Sequence, residues 1–217
     1  MKGDEMTPFP CPSGWAAHWQ LDSQIVFLNH GSFGACPKAV LAVQREFRDR
    51  LERQPLSFFE REYETLLDQA RCNLAEFVGA EADDLALVAN ATTGVNTVLR
   101  SRPFHPGDEL LTTSQEYNAC RNALNFVAER TGATVVVAEV PYPIGSPQQV
   151  IEAVLARVTA KTQLVLLDHV VSQTGLVYPI AALVQELAAC HIETLVDGAH
   201  APGMLPLNLK QLGATYY

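Results

Sequence analysis

From residue 85 onward, short apolar runs alternate with segments of helical period, and this alternation constrains the fold more than any other feature of the chain. Leu85-Ala-Leu-Val-Ala89 reads as a buried strand and Thr93 to Arg100 as a helix. Glu109 to Thr113 is a second strand and Asn118 to Arg130 a second helix. Thr134 to Val140 follows as a strand, Pro147 to Val158 as a helix, and Gln163 to Asp168 as a further strand. Ile180 to Cys190 is helical, and Thr194-Leu-Val196 is a strand ending in Asp197. Strands separated by helices join in parallel through right-handed crossovers, which bury both faces of the sheet. The predicted class is α/β, a mostly parallel sheet flanked by helices.

The segments on either side of this pattern differ from it. Residues 1–24 are rich in Pro, Gly and Trp without a period and read as an N-terminal arm, with Trp15 and Trp19 as anchors. Ile25 to Leu28 is a short apolar run, and Asn29-His-Gly-Ser-Phe-Gly34 is a turn-rich loop. Two helices are predicted over 37–78, one through Val40, Val43, Phe47 and Leu51, the other through Phe59, Tyr63, Leu66, Leu67, Ala70, Leu74 and Phe77, with Pro55 between them. At the far end, Ala214-Thr-Tyr-Tyr217 reads as the start of another strand. A sheet edge left uncovered in this way is a liability. The expected organisation is therefore an arm over 1–24 and an incomplete domain over 25–217, with helices at 37–78 and the α/β sheet at 85–217.

Charge and cysteine usage exclude several function classes. Lys and Arg number 15 against 24 Asp and Glu, a net charge of -9, and no basic cluster reverses this locally, so nucleic acid is not an expected partner. No run approaches the roughly 18 apolar residues of a membrane span, and the opening residues carry no signal-peptide core. The 5 cysteines, Cys11, Cys36, Cys72, Cys120 and Cys190, are widely spaced and form no CxxC pair, which suits reduced thiols in the cytoplasm.

Chemistry is expected beyond the carboxyl ends of the strands, where open α/β sheets bind ligands. Asn90-Ala-Thr-Thr-Gly94 opens a helix there, so hydroxyls and free N–H groups meet a positive helix end. That arrangement suits a phosphate, although capping of the helix by Thr92 or Thr93 is the simpler use of the same residues. Neither GxGxxG nor GxxxxGK[ST] occurs. Ser114-Gln-Glu-Tyr-Asn-Ala119 brings Tyr117 to the same edge, and His169-Val-Val-Ser-Gln-Thr-Gly175 adds short polar side chains. The strongest signal is Asp197 in Thr194-Leu-Val-Asp-Gly-Ala-His200, because a carboxylate ending a buried apolar strand needs a cation or a turn to cap. His169, Asp197 and His200 lack a diagnostic metal-ligand spacing, and no metal is expected.

Taken in order and spacing, Asn90-Ala-Thr-Thr-Gly94, Glu116-Tyr-Asn-Ala119, Ser172-Gln-Thr-Gly175 and Val196-Asp-Gly-Ala-His200 resemble the class V aminotransferase family of fold-type I pyridoxal phosphate enzymes. Leu28-Asn-His-Gly-Ser-Phe-Gly34 and Glu116-Tyr-Asn-Ala119 resemble its isopenicillin N epimerase-like branch. The resemblance implies the large-domain fold of that class, pyridoxal 5'-phosphate as cofactor, an amino-acid substrate and a homodimer. By the same resemblance, Thr92 and Thr93 hold the cofactor phosphate and Tyr117 lies over the pyridine ring. Asp197 pairs with the protonated ring nitrogen, Ser172 and His200 lie near the phenolic oxygen, and Asn29 and His30 lie near the substrate entrance.

The chain departs from the family in one respect. The Schiff-base Lys expected just past the strand that Ala214 begins is absent, and Lys2, Lys38, Lys161 and Lys210 fall outside the matching motifs. The expectation is the N-terminal part of such an enzyme, truncated before that Lys and before the C-terminal small domain, and inactive alone. A non-catalytic cofactor-binding or assembly protein derived from the fold is the alternative. Reaction type, whether epimerase, lyase or aminotransferase, is not legible.

Overall fold

The structure, a computed structural model, describes residues 13–217. Residues 1–12 of the expected arm, with Lys2 and Cys11, lie outside the described residues. The chain divides into two compact units, Met1–Leu67 and Asp68–Tyr217.

In the first unit, a 3-10 turn over Gly14–His18 precedes α1 (His30–Phe33), a short helix where the Gly-containing sequence predicts a loop. The indole Nε1 of Trp19 donates to the Ala35 carbonyl at 3.0 Å, which ties the described part of the arm to the residues before α2. Helix α2 (Lys38–Arg53) follows Pro37 as predicted, and α3 (Pro55–Ser57) starts on Pro55, whose fixed φ suits a first helical turn. The second predicted helix does not begin as a regular one. Phe58–Glu62 forms a π turn before α4 (Tyr63–Val78), with the Phe58 and Phe59 rings 5.7 Å apart and Phe59 and Tyr63 5.8 Å apart.

The second unit holds the sheet. Helix α5 (Ala91–Ser101) leads to β1 (Glu109–Thr113), α6 (Asn118–Thr131), β2 (Thr134–Ala138) and α7 (Pro147–Leu155). β3 (Thr162–Asp168), α8 (Ile180–Ala189), β4 (Glu193–Asp197) and α9 (Leu209–Leu212) complete it. The four strands are parallel in the order β2-β1-β3-β4. Gly132 ends α6 at φ 77, a left-handed conformation that costs a residue with a Cβ about 1 kcal/mol or more.

Strand pleating sends successive side chains to opposite faces, and the sequence supplies apolar residues at both. Leu110, Leu164, Leu166 and Leu195 pack under α5 and α6, while Leu111, Val165, Leu167 and Val196 pack under α7 and α8. This two-sided burial explains why the strands read as unbroken apolar runs.

Leu85–Ala89 is the exception among the predicted strands. It is irregular, and Leu87 and Val88 are 50% and 49% exposed. A strand needs a neighbour for its N–H and C=O groups, and no described strand pairs with this segment. The last residues instead bridge to the β4 edge. Tyr216 N–H donates to Thr194 O and Val196 N–H to Tyr216 O, each at 2.9 Å, in a parallel bridge of Tyr216 to Leu195.

Candidate active site

Two adjacent strands of this sheet send the chain to opposite faces. β1 leads to α6 on one side and β3 to α8 on the other, so a crevice opens at the carboxyl ends of β1 and β3. Polar side chains collect there. Asp168 and Asp197 end β3 and β4 directly opposite each other in the parallel register. Glu116 lies in the turn between β1 and α6, and all three acids are buried, at 5%, 3% and 6% exposure for Glu116, Asp168 and Asp197.

Asp197 is supplied with donors. Cys120 Sγ–H donates to its Oδ2 at 3.1 Å and the Ala199 N–H to its Oδ1 at 3.0 Å. Burial, followed by the hydrogen bond to Asp197, pushes the Cys120 thiol far up, so this donor is neutral. A carboxylate oxygen each of Glu116 and Asp197 and the Cys120 sulfur lie within 4.8 Å of one another. These are ligand types for a metal, but a metal needs the thiolate, which this site disfavours.

Tyr217 closes one side of the crevice. Its hydroxyl is 2.8 Å from His169 Nδ1, and burial pushes the phenol up to about 12. Burial also lowers the His169 imidazole, so the pair is held neutral. The Tyr217 ring lies directly on Gly198, and a Cβ at that position would overlap it. Gly198→Ala is therefore expected to displace the ring and cost about 1–3 kcal/mol of stability, read from urea unfolding. A change under about 0.5 kcal/mol would contradict this contact.

The other predicted site residues fall as follows. Thr92 and Thr93 lie in the first turn of α5, which packs on α6 and β4. The cap is Asn90, not a threonine. Its Oδ1 accepts from the Thr93 N–H at 2.8 Å and the Thr93 hydroxyl at 3.0 Å. No described residue accepts from the Ala91 or Thr92 N–H, and these groups remain at the positive end of the helix. Tyr117 precedes α6 and is 42% exposed. Ser172 is half-buried in the turn closed by Gly175 N–H to Val171 O at 2.8 Å. His200 is half-buried in the loop after β4. Asn29 and His30 belong to the first unit, where the His30 ring stands edge-on to Phe27 at 4.8 Å.

Three participants at this site carry no role that the sequence motifs announce. Glu116 entered only as part of a motif, Asp168 as the end of a strand, and Cys120 as one of five reduced thiols. A polar residue ending an apolar run was the available signal for Asp168, as it was for Asp197. Cys120 meets Asp197 across 77 residues of chain, which no local pattern announces.

A four-stranded parallel sheet with helices on both faces and buried acids at its carboxyl edge is an α/β domain of the doubly wound type. The chain belongs to the class-V aminotransferase family, whose model matches residues 26–217. It is 38% identical over 197 residues to isopenicillin N epimerase of Streptomyces clavuligerus, covering 91% of this chain and 50% of that protein. It is 29% identical over 211 residues to a probable chloroplastic L-cysteine desulfhydrase of Arabidopsis thaliana, covering 90% of this chain and 44% of that one. The cystine C-S lyase C-DES in complex with cysteine persulfide superposes with a TM-score of 0.78 at 28% identity, covering 87% of this chain and 51% of that chain. A C-DES mutant with glycine covalently linked to its PLP cofactor gives a TM-score of 0.76 at 28% identity, with coverage of 87% and 50%. The chain spans about half the length of the curated relatives it matches. Among the described residues, no helix is long and apolar enough to cross a membrane.

Proposed function

We propose that the chain forms the cofactor-holding part of a pyridoxal-phosphate-dependent enzyme acting on an amino acid, as an epimerase, lyase or aminotransferase. The observation that carries this reading is Asp197, a buried carboxylate whose two hydrogen-bond donors, the Cys120 thiol and the Ala199 N–H, are both neutral. A charge in that setting needs a cationic partner, and a protonated pyridine nitrogen is one. The residues present fit the rest of the cofactor too. A phosphate suits the Ala91 and Thr92 N–H groups at the head of α5, and an aromatic ring suits the exposed face of Tyr117.

In this reading Thr92, and Thr93 once its hydroxyl turns from Asn90, would hold the phosphate, and Tyr117 would cover one face of the ring and limit its tilt. Ser172 and His200 serve the phenolic oxygen, and Asn29 and His30 serve the substrate. Asp197 keeps a proton on the ring nitrogen by stabilising its charge. When bound, the cofactor supplies an electron sink for bonds at the Cα of an amino acid. The chain's own contribution is orientation and a fixed electrostatic field, neither of which has to reorganise during reaction. Relatives named as an epimerase and as cysteine desulfhydrases support an amino-acid substrate. A cytoplasmic setting is supported by Cys36, Cys72, Cys120 and Cys190, all free, and a homodimer by the family resemblance.

The described lysines favour reversible rather than covalent binding by this chain. Lys210 pairs with Glu81, Lys38 donates to the Ala17 carbonyl, and Lys161 precedes β3, at the opposite end of the sheet from the crevice. Titration of the full chain with pyridoxal phosphate should give saturable binding that borohydride does not fix. Absence of binding, or a reduced adduct on Lys161 or Lys210, would overturn the reading.

A further inference from the structure

Three buried carboxyls stand together at the crevice, and only one of them is well supplied with donors. Glu116 Oε2 accepts the Thr112 hydroxyl at 3.0 Å, but its Oε1 is buried without a partner. Asp168 Oδ2 is likewise buried without a donor, although the Tyr117 backbone N–H reaches this carboxyl, and the Glu116 and Asp168 side chains lie within hydrogen-bond reach of each other. The Tyr178 hydroxyl, on a residue 2% exposed, has the Thr113 hydroxyl as a neighbour and is close enough to feel the charge of both acids. Each unsatisfied oxygen in such a place carries a desolvation penalty, and three adjacent negative charges repel one another where water cannot screen them. One proton relieves both problems, because an acid O–H on one carboxyl donates to the other and removes one charge.

We propose that Glu116 and Asp168 share a single proton at neutral pH and act as a positioning pair, leaving Asp197 as the anion that meets the cofactor ring. The functional half of this statement rests on the pyridoxal phosphate reading, whereas the shared proton belongs to the chain itself. Burial, then the charge of Asp168, pushes Glu116 well up, and burial, then the charge of Asp197, pushes Asp168 up to about 7. The pair titrates as a unit.

Two groups facing the pair favour its charged form, the Thr112 hydroxyl on Glu116 and the Tyr117 backbone N–H on Asp168, and burial with the neighbouring acids outweighs both. On β1, Thr112 and Thr113 offer only hydroxyls, and Thr113 is buried beside Thr112. On α6, the Cys120 thiol is neutral, and the Arg121 guanidinium donates to the Thr113 carbonyl at 3.2 Å rather than to either acid. β4 contributes the negative Asp197. Ahead of α8, burial pushes the Tyr178 phenol up to about 12, and the His169 and Tyr217 pair is neutral for the reasons given above. The division of labour is then clear. Glu116, through Thr112, fixes the turn that carries Tyr117, Asp168 accepts from the Tyr117 N–H, and the proton between them removes a charge that would compete with Asp197.

The sign of the pH effect follows from linkage. Both acids bind protons more tightly in the folded chain than in the unfolded one, where their pKa values are about 3.9 and 4.3. The stabilisation is fully present below about pH 4 and is lost as pH rises through the folded value near 7. The unfolding constant of the full chain, measured without cofactor, should rise about tenfold per pH unit between about pH 5 and about pH 7 from this pair. In Glu116→Gln an amide N–H replaces the acid proton, so the slope should flatten while the fold remains. Glu116→Ala, which cannot donate, should not rescue stability at high pH. Carboxyl carbon NMR of the unsubstituted chain reads the same proton without any substitution, and should show Glu116 and Asp168 titrating together near neutrality. Three acids ionised throughout about pH 5 to 8, or a divalent ion bound at one per chain through Glu116, Cys120 and Asp197, would overturn the proposal. Because these readouts need no cofactor, failure of pyridoxal phosphate binding would leave the proton visible, and absence of the proton would leave the binding result standing.

Discussion

Asp197→Asn is expected to weaken pyridoxal phosphate binding to the full chain about a hundredfold. Asn keeps the shape of the side chain and can still accept from Ala199, so the fold and the crevice should survive the change. What disappears is the negative charge at the end of β4. Removing one partner of a buried ion pair costs about 3–5 kcal/mol, and about 2.7 kcal/mol already corresponds to a factor of a hundred in Kd. Part of that loss is offset because the ring nitrogen can give up its proton, which brings the predicted value just below that range. The same substitution should shift the absorbance of the bound cofactor toward that of an unprotonated ring. Binding within about threefold of the unsubstituted chain would show that Asp197 does not face the ring.

Leu166→Ala is expected to cause the largest loss of stability. Leu166 lies on β3, an inner strand, is fully buried, and points into the cluster formed with α5 and α6. Its neighbours Leu110, Leu164, Leu195, Leu99 and Leu124 come from several elements, so the space left by truncation cannot close by moving one helix. Such changes cost about 2–5 kcal/mol, and the upper half of that range is expected here. For a domain of this size that lowers Tm by about 10 °C, measurable by calorimetry. A loss below about 1 kcal/mol would mean that the α5 and α6 face of the sheet is loosely packed.

Much of this architecture is legible in the sequence because two-sided burial leaves a simple signature. β3 and β4 read as apolar runs ending in Asp168 and Asp197, and α6 reads from its period and closes on Gly132. Failures occurred where structure depends on a distant partner. Leu85–Ala89 has the composition of a strand, but a strand exists only when another backbone accepts its hydrogen bonds. The π turn at Phe58–Glu62 keeps an apolar pattern close to that of a regular helix, so period alone passes over it. In the crevice, each acid is visible singly in the sequence. Their adjacency depends on the β3 and β4 register and on the turn that brings Glu116 back over β1, which no spacing along the chain encodes.

The helix N-terminus and the buried acid are expected to grip opposite ends of one molecule. A crystal structure of the full chain soaked with pyridoxal phosphate tests that directly. The phosphate should sit against Ala91, Thr92 and Thr93, with the ring nitrogen within hydrogen-bond distance of Asp197 and the Tyr117 ring over its face. A phosphate bound elsewhere, or a ring turned so that Asp197 meets only solvent, would contradict it.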